Sequence, residues 1–309
     1  MPGIDLHTHL APRVDEPPVG PPALYRPDLL EEYLDEADLD EAIVTIPPPF
    51  FRQGLDEPEA RAWVRSVNDG LLRARDGHDR LTPLAYLPLE HPELALDEYE
   101  RVRDDETWAG LTGAAGGGSS SLAAPELAPL WKALDEDGRM LLLHPGATPD
   151  PRLAPFYLTN LLGNPGETAL AAAQLVFGDV LARHPGMRFV LVHCGGLLPA
   201  VVGRWQRGAD THRPGVPDLS ESPRESVRRF YVDCLAHDRA VVDLAVTMFG
   251  RDRIVLGSDW PFPMGTRDPR ALVAHRGEDF VHRAETRTAQ VALGRSGPTV
   301  LTARTAASS

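Results

Sequence analysis

Eight short apolar runs, at about residues 3–9, 41–47, 81–89, 108–114, 139–145, 188–194, 229–235 and 254–259, punctuate this chain, separated by helix-like sequence. Rich in Val, Ile, Leu or aromatics and bounded by Gly, Pro or polar residues, they read as buried parallel strands. Between them, Pro27-Asp-Leu-Leu-Glu-Glu-Tyr-Leu spaces its apolar residues helically behind a proline suited to a first turn. Residues 124–137 and 167–183 carry the same period. Eight such alternations predict an α/β single domain, a (β/α)₈ TIM barrel over residues 1–295. An open doubly wound sheet is the rival, but no Gly-x-Gly-x-x-Gly turn follows the first run. Gly113 to Ser121 reads as a mobile Gly/Ser loop rather than strand. The tail 296–309 is expected to be disordered.

What ends these runs matters as much as their number. The first closes on His7-Thr8-His9, the fifth on Leu-Leu-Leu-His144-Pro, the sixth on Leu-Val-His193-Cys-Gly-Gly, and the eighth on Gly-Ser-Asp259-Trp-Pro. Alternate residues of a strand share a face, so His7 and His9 point together. A closed barrel gathers the other ends around the same centre, where barrel enzymes keep their chemistry. Singly each residue is ordinary: His144 could pack, His193 could start a helix, and Asp259 could cap a turn. Together, imidazoles and a carboxylate suit one divalent metal ion, zinc first, with manganese and iron as alternatives. Such an ion activates a water or polarises a substrate oxygen. His78, His91, His184, His212, His275 and His282 fall in polar sequence and read as solvated, while His237, just past the seventh run, stays open.

Composition narrows the partners. Net charge is −14 without a basic cluster, which argues against nucleic acid. No apolar run approaches the ~20 residues of a membrane helix. His7 lies too near the start to leave room for a signal peptide, so a cytoplasmic location is expected. Cys194 and Cys234 read as inert core thiols.

The set of motifs resembles the amidohydrolase superfamily, and within it the decarboxylase-type branch that includes aminocarboxymuconate-semialdehyde, resorcylate and methylsalicylate decarboxylases. The likeness rests on His-x-His and on the stretch 144–265, with Leu-Leu-Gly-Asn-Pro-Gly-Glu-Thr (161–168), Arg-His-Pro-Gly-Met-Arg (183–188), His-Cys-Gly-Gly, Gly203-Arg204, Phe-Tyr-Val-Asp (230–233) and Gly-Ser-Asp-Trp-Pro-Phe-Pro-Met-Gly (257–265). The resemblance implies that His7, His9, His144 and Asp259 hold the metal and that His193 is the general base and acid, with Asp259 able to shuttle a proton. Imidazole titrates near neutrality, which suits that role. It also implies that Arg204 grips a substrate carboxylate, across the interface of a homodimer, as a guanidinium can do bidentately. Trp260 and Tyr157, with Phe156 and Phe262, would wall an unsaturated substrate.

Binuclear relatives bridge two metals through a modified lysine. The single lysine, Lys132, lies in helical sequence before the fifth run, so a mononuclear site is expected. In one place the chain departs from the pattern: the loop from Leu10 to about Pro27 is short and lacks an obvious second substrate-binding arginine, leaving Arg13 and Arg26 as substitutes. The expected activity is non-oxidative decarboxylation of a small aromatic or dienoic carboxylate. The alternative is hydrolysis of a lactone, amide or ester at the same site, since fold does not fix reaction.

Overall fold

The structure, a computed structural model, describes residues 1–118 and 121–295. Seven strands, β1 (Ile4–His9), β2 (Glu41–Thr45), β3 (Leu81–Tyr86), β4 (Gly110–Ala115), β5 (Met140–Pro145), β6 (Arg188–Leu191) and β7 (Tyr231–Val232), pair in parallel in chain order. Helices α1 (Pro27–Glu36), α2 (Glu57–Arg75), α3 (Pro92–Val102), α4 (Ala128–Glu136), α5 (Asn164–Phe177), α6 (Val180–Arg183), α7 (Leu198–Asp210), α8 (Pro223–Ser226) and α9 (Arg239–Phe249) lie along the connections. Their ends follow local chemistry. In α2 the Asp56 carboxylate accepts the Glu59 N–H, acidic Glu57 and Glu59 occupy the first turn, and Arg73 and Arg75 the last, complementing the helix dipole.

The eighth run is not a regular strand, yet it closes the ring. Val255 N–H donates to Val232 O at 2.9 Å on one side. On the other, Leu6 N–H donates to Leu256 O at 2.9 Å, Asp259 N–H to His7 O at 2.8 Å and His9 N–H to Trp260 O at 2.8 Å. The run loses its regular ladder because Asp5 Oδ1 captures the Ser258 N–H and Asp259 adopts a left-handed backbone, φ +57°. The sixth and seventh strands stop short of expectation for related reasons. His193, Cys194, Gly195 and Gly196 all have positive φ, which turns the chain sharply off β6. The Asp233 carboxylate takes the N–H groups of His193, Cys194 and Leu235, which then have no strand partner.

The Gly/Ser stretch is corrected in part. Gly113, Ala114 and Ala115 belong to β4, paired with Leu143, His144 and Pro145. Gly113 leaves room for a neighbouring side chain: a Cβ there would lie 2.6 Å from Leu89 Cδ1. The tail 296–309 lies outside the described residues.

An interior cluster takes Ile4 and Leu6 from β1, Ile43, Leu84, Leu142 and Val190 from later strands, and Ala289, Ala292 and Leu293 from the last helical segment. It fills the lower barrel. Pairing of β1 with β2 gains one residue between Asp5 and Thr8, a bulge. That extra residue shifts the inward parity, so Leu6 packs in the core while His7 and His9 reach the centre above it. No helix among the described residues is long and apolar enough to cross a membrane.

Candidate metal centre

β1 delivers His7 and His9, β5 delivers His144, the turn after β6 delivers His193, and the closing segment delivers Asp259. All five meet at the C-terminal mouth of the barrel. One ligand atom each from His7, His144, His193 and Asp259 lies within 4.8 Å of the others. His9 joins them: its Nε2 is 3.2 Å from His7 Nε2 and 3.0 Å from Asp259 Oδ1. His7 Nε2 lies 3.5 Å from the same Asp259 oxygen, and His193 Nε2 lies 3.9 Å from Asp259 Oδ2.

The hydrogen bonds behind these rings separate two kinds of histidine. His7 Nδ1 faces Asp233 Oδ2 at 2.8 Å, His9 Nδ1 faces Ile46 O at 3.1 Å, and His144 Nδ1 faces Pro145 O at 2.8 Å. Each partner is an acceptor, so each Nδ1 carries the hydrogen and each Nε2 presents a lone pair to the centre. Two such lone pairs 3.2 Å apart, beside a carboxylate, call for a cation between them, and the donor set fits a divalent metal ion. His193 is different. Its Nδ1 is buried without a hydrogen-bond partner among the described residues, and its side chain keeps 20% exposure.

Electrostatics follow burial and charge. Burial disfavours a charged His7, but the Asp233 bond and the Asp259 charge outweigh it and raise the imidazole above its ordinary value. His144 is held well below the usual range by burial and then by the imidazoles of His9, His7 and His193. Burial alone would raise the Asp259 carboxyl; His193, His9 and His7 outweigh it and hold it well below the carboxylate range. Phe51 stacks on His144 with centroids 5.9 Å apart, and Phe262 meets His9 edge-on at 5.0 Å, fixing both rings.

Above the cluster opens a cleft of about 270 Å³, with His193 and Asp259 at its floor. Asn160, Asn164, Leu197, Leu235, His237 and Met264 are among its walls. Other expected substrate contacts lie elsewhere in this chain. Trp260, 6% exposed, stacks on Tyr33 and faces a separate cavity. Tyr157, 61% exposed, stands with Phe156 on the loop after β5. Arg204 projects from α7 into solvent, with no hydrogen bond or ion pair among the described residues. Arg26 pairs with Asp28 on the surface. Lys132 pairs with Glu136 on the outer face of α4, remote from the centre.

Sequence reasoning missed the supports. Asp233, part of the Phe-Tyr-Val-Asp motif in the sequence, is fully buried and holds both His7 and the His193 turn. A carboxylate ending an apolar run, like Asp259, was the available signal. Asp5, which accepts the Tyr33 hydroxyl at 2.7 Å and the N–H groups of His7 and Ser258, was hidden inside β1.

Comparison with known proteins places this geometry in context. The chain is 27% identical over 254 residues to 2-amino-3-carboxymuconate-6-semialdehyde decarboxylase of Dictyostelium discoideum, covering 80% of this chain and 70% of the relative. It is 26% identical over 256 residues to gamma-resorcylate decarboxylase of Rhodococcus jostii, covering 76% and 77%. The crystal structure of a dihydroxybenzoic acid decarboxylase from a Polaromonas species, with bound manganese and the inhibitor 2-nitroresorcinol, superposes with a TM-score of 0.79 at 20% identity, covering 96% of this chain and 98% of that one. The amidohydrolase family profile matches residues 4–289, and the chain belongs to that family.

Proposed function

We propose that this protein is a mononuclear, divalent-metal-dependent decarboxylase that removes carbon dioxide from a small aromatic or dienoic carboxylate without net oxidation. Its relatives by sequence include decarboxylases of such acids. Of the five residues, His7, His9, His144 and Asp259 would hold the ion, His9 by its closeness to His7 and Asp259, with zinc the first candidate and manganese, bound in the Polaromonas neighbour, the second. When bound, the ion neutralises the negative charge that develops as the carbon–carbon bond breaks.

The observation that carries this reading is the contrast between three pinned histidines and one free one. His7, His9 and His144 are locked with Nε2 inward, as ligands must be. His193 Nδ1 meets no side chain or carbonyl among the described residues, so no partner there fixes which tautomer the ring adopts, as a proton carrier requires. In the reaction the bond to the carboxylate carbon breaks and carbon dioxide leaves. Its electron pair remains on the substrate carbon, and His193 Nε2 delivers a proton there. Asp259 Oδ2 lies 3.9 Å from that nitrogen, at the same floor. Leu161, Leu197, Leu235 and Met264 give the cleft apolar walls around the developing charge.

Among the described residues, none that lines the cleft is arginine or lysine. Leu161 and Leu197 of the cleft wall are exposed, as are Phe156, Tyr157 and Leu162 in the segment after β5, and this apolar surface supports a homodimer in which the partner subunit's Arg204 reaches the substrate carboxylate. Trp260 then stands behind the site, lining a separate cavity with Phe262, whose ring meets His9 edge-on. Two buried free thiols fit a reducing compartment, the cytoplasm. The test is carbon dioxide release from a panel of hydroxybenzoates and dienoic acids by metal-loaded enzyme. Hydrolysis of lactones or esters with no carbon dioxide release would overturn the proposal.

A further inference from the structure

The cleft has a depth gradient. Asp259, at its floor, is 5% exposed, whereas His237, at its rim, is exposed. His237 sits between the end of β7 and α9, and no hydrogen bond or ion pair engages its ring among the described residues. Asp238 beside it caps α9 by accepting the Ala240 N–H, which fixes the chain at that point. His237 itself holds φ +56°, a conformation most residues avoid. Asn160 and Asn164, from the segment leading into α5, line the same cleft. The rim therefore carries hydrogen-bonding groups, while most other walls are apolar. This chain's own lining holds no arginine or lysine among the described residues, which leaves His237 as the rim group of this chain best able to meet an anion. An imidazole offers an N–H donor in either protonation state and a charge in one.

We infer that His237 is a specificity-determining residue that binds a second oxygen substituent, a carboxylate or hydroxyl, carried on the side of the substrate remote from the leaving carboxylate. This rests on the decarboxylase reading, because that chemistry anchors the leaving carboxylate at the floor. The other end of a small planar acid then reaches the rim. A site built to bond such a group discriminates strongly against an analogue lacking it.

The experiment measures calorimetric affinities of the metal-loaded protein for salicylate and 5-carboxysalicylate. His237→Gly removes the ring yet suits the positive φ, and His237→Asn keeps a short donor in a residue that tolerates it. Wild type is expected to prefer 5-carboxysalicylate at least tenfold. The preference falls to about threefold or less in His237→Gly and is partly restored in His237→Asn, with metal content unchanged. A preference that persists in His237→Gly, or is absent in wild type, overturns the inference alone. Wild type that binds neither acid and releases no carbon dioxide from the wider panel overturns the decarboxylase reading, and this inference with it.

Discussion

Asp233 Oδ2 stands 2.8 Å from His7 Nδ1 while also accepting the backbone N–H of His193, so one buried carboxylate sets both a candidate ligand and the candidate proton carrier. Its burial without solvent is sustained by these bonds together with those from Cys194 and Leu235. The bond from His7 leads the interactions that hold Asp233 below its ordinary value against the opposing effect of burial.

Asp233→Asn should therefore weaken metal binding by about 10–100-fold, the usual cost of losing a ligand's supporting carboxylate. Competition with a metallochromic chelator measures it. Unchanged affinity would show that His7 does not depend on Asp233 for its tautomer.

His9→Ala and His144→Ala should each leave the protein folded but largely metal-free after dialysis, because each removes an inward lone pair locked in place. Elemental analysis beside circular dichroism checks this. Full occupancy in either variant would strike that residue from the ligand set.

Gly113→Ala tests the packing of β4. The added Cβ falls 2.6 Å from Leu89 Cδ1, so overpacking should cost about 1–3 kcal/mol, read as a lower midpoint in urea. An unchanged midpoint would mean that Leu89 yields freely.

Glu90, beside β3, has both carboxylate oxygens buried without a partner among the described residues, and burial raises its carboxyl above the ordinary range. The folded state thus holds this proton more tightly than the unfolded one. Its contribution to stability is complete at low pH and is lost as pH climbs through the raised folded value. Glu90→Gln should match wild type near pH 4 and melt higher at pH 7. A stabilisation that is the same at both pH values would remove the buried charge as its cause.

The pattern of apolar runs foretold the parallel barrel and the convergence of His7, His9, His144, His193 and Asp259, because strand ends are where that fold collects polar groups. The sequence could not reveal where side chains would replace the sheet's own hydrogen bonds. Asp5 takes the Ser258 N–H and Asp233 takes those of His193 and Cys194, which is why the sixth to eighth runs are shorter or less regular than their apolar character implies. Gly113 misled for another reason. Glycine signals a loop locally, whereas here it admits Leu89 against β4. The exposure of Arg204 depends on what α7 packs against, which a single chain's periodicity does not encode.

His193 is proposed to carry a proton, and His7, His9, His144 and Asp259 to hold the metal without it. The most direct measurement is metal per chain and carbon dioxide release, made side by side on untagged wild type and His193→Gln. A proton carrier outside the ligand set predicts about one divalent ion per chain in both, with turnover reduced by about 10²–10⁴-fold in the variant. A variant that loses the ion, or that keeps the ion and full turnover, would contradict it.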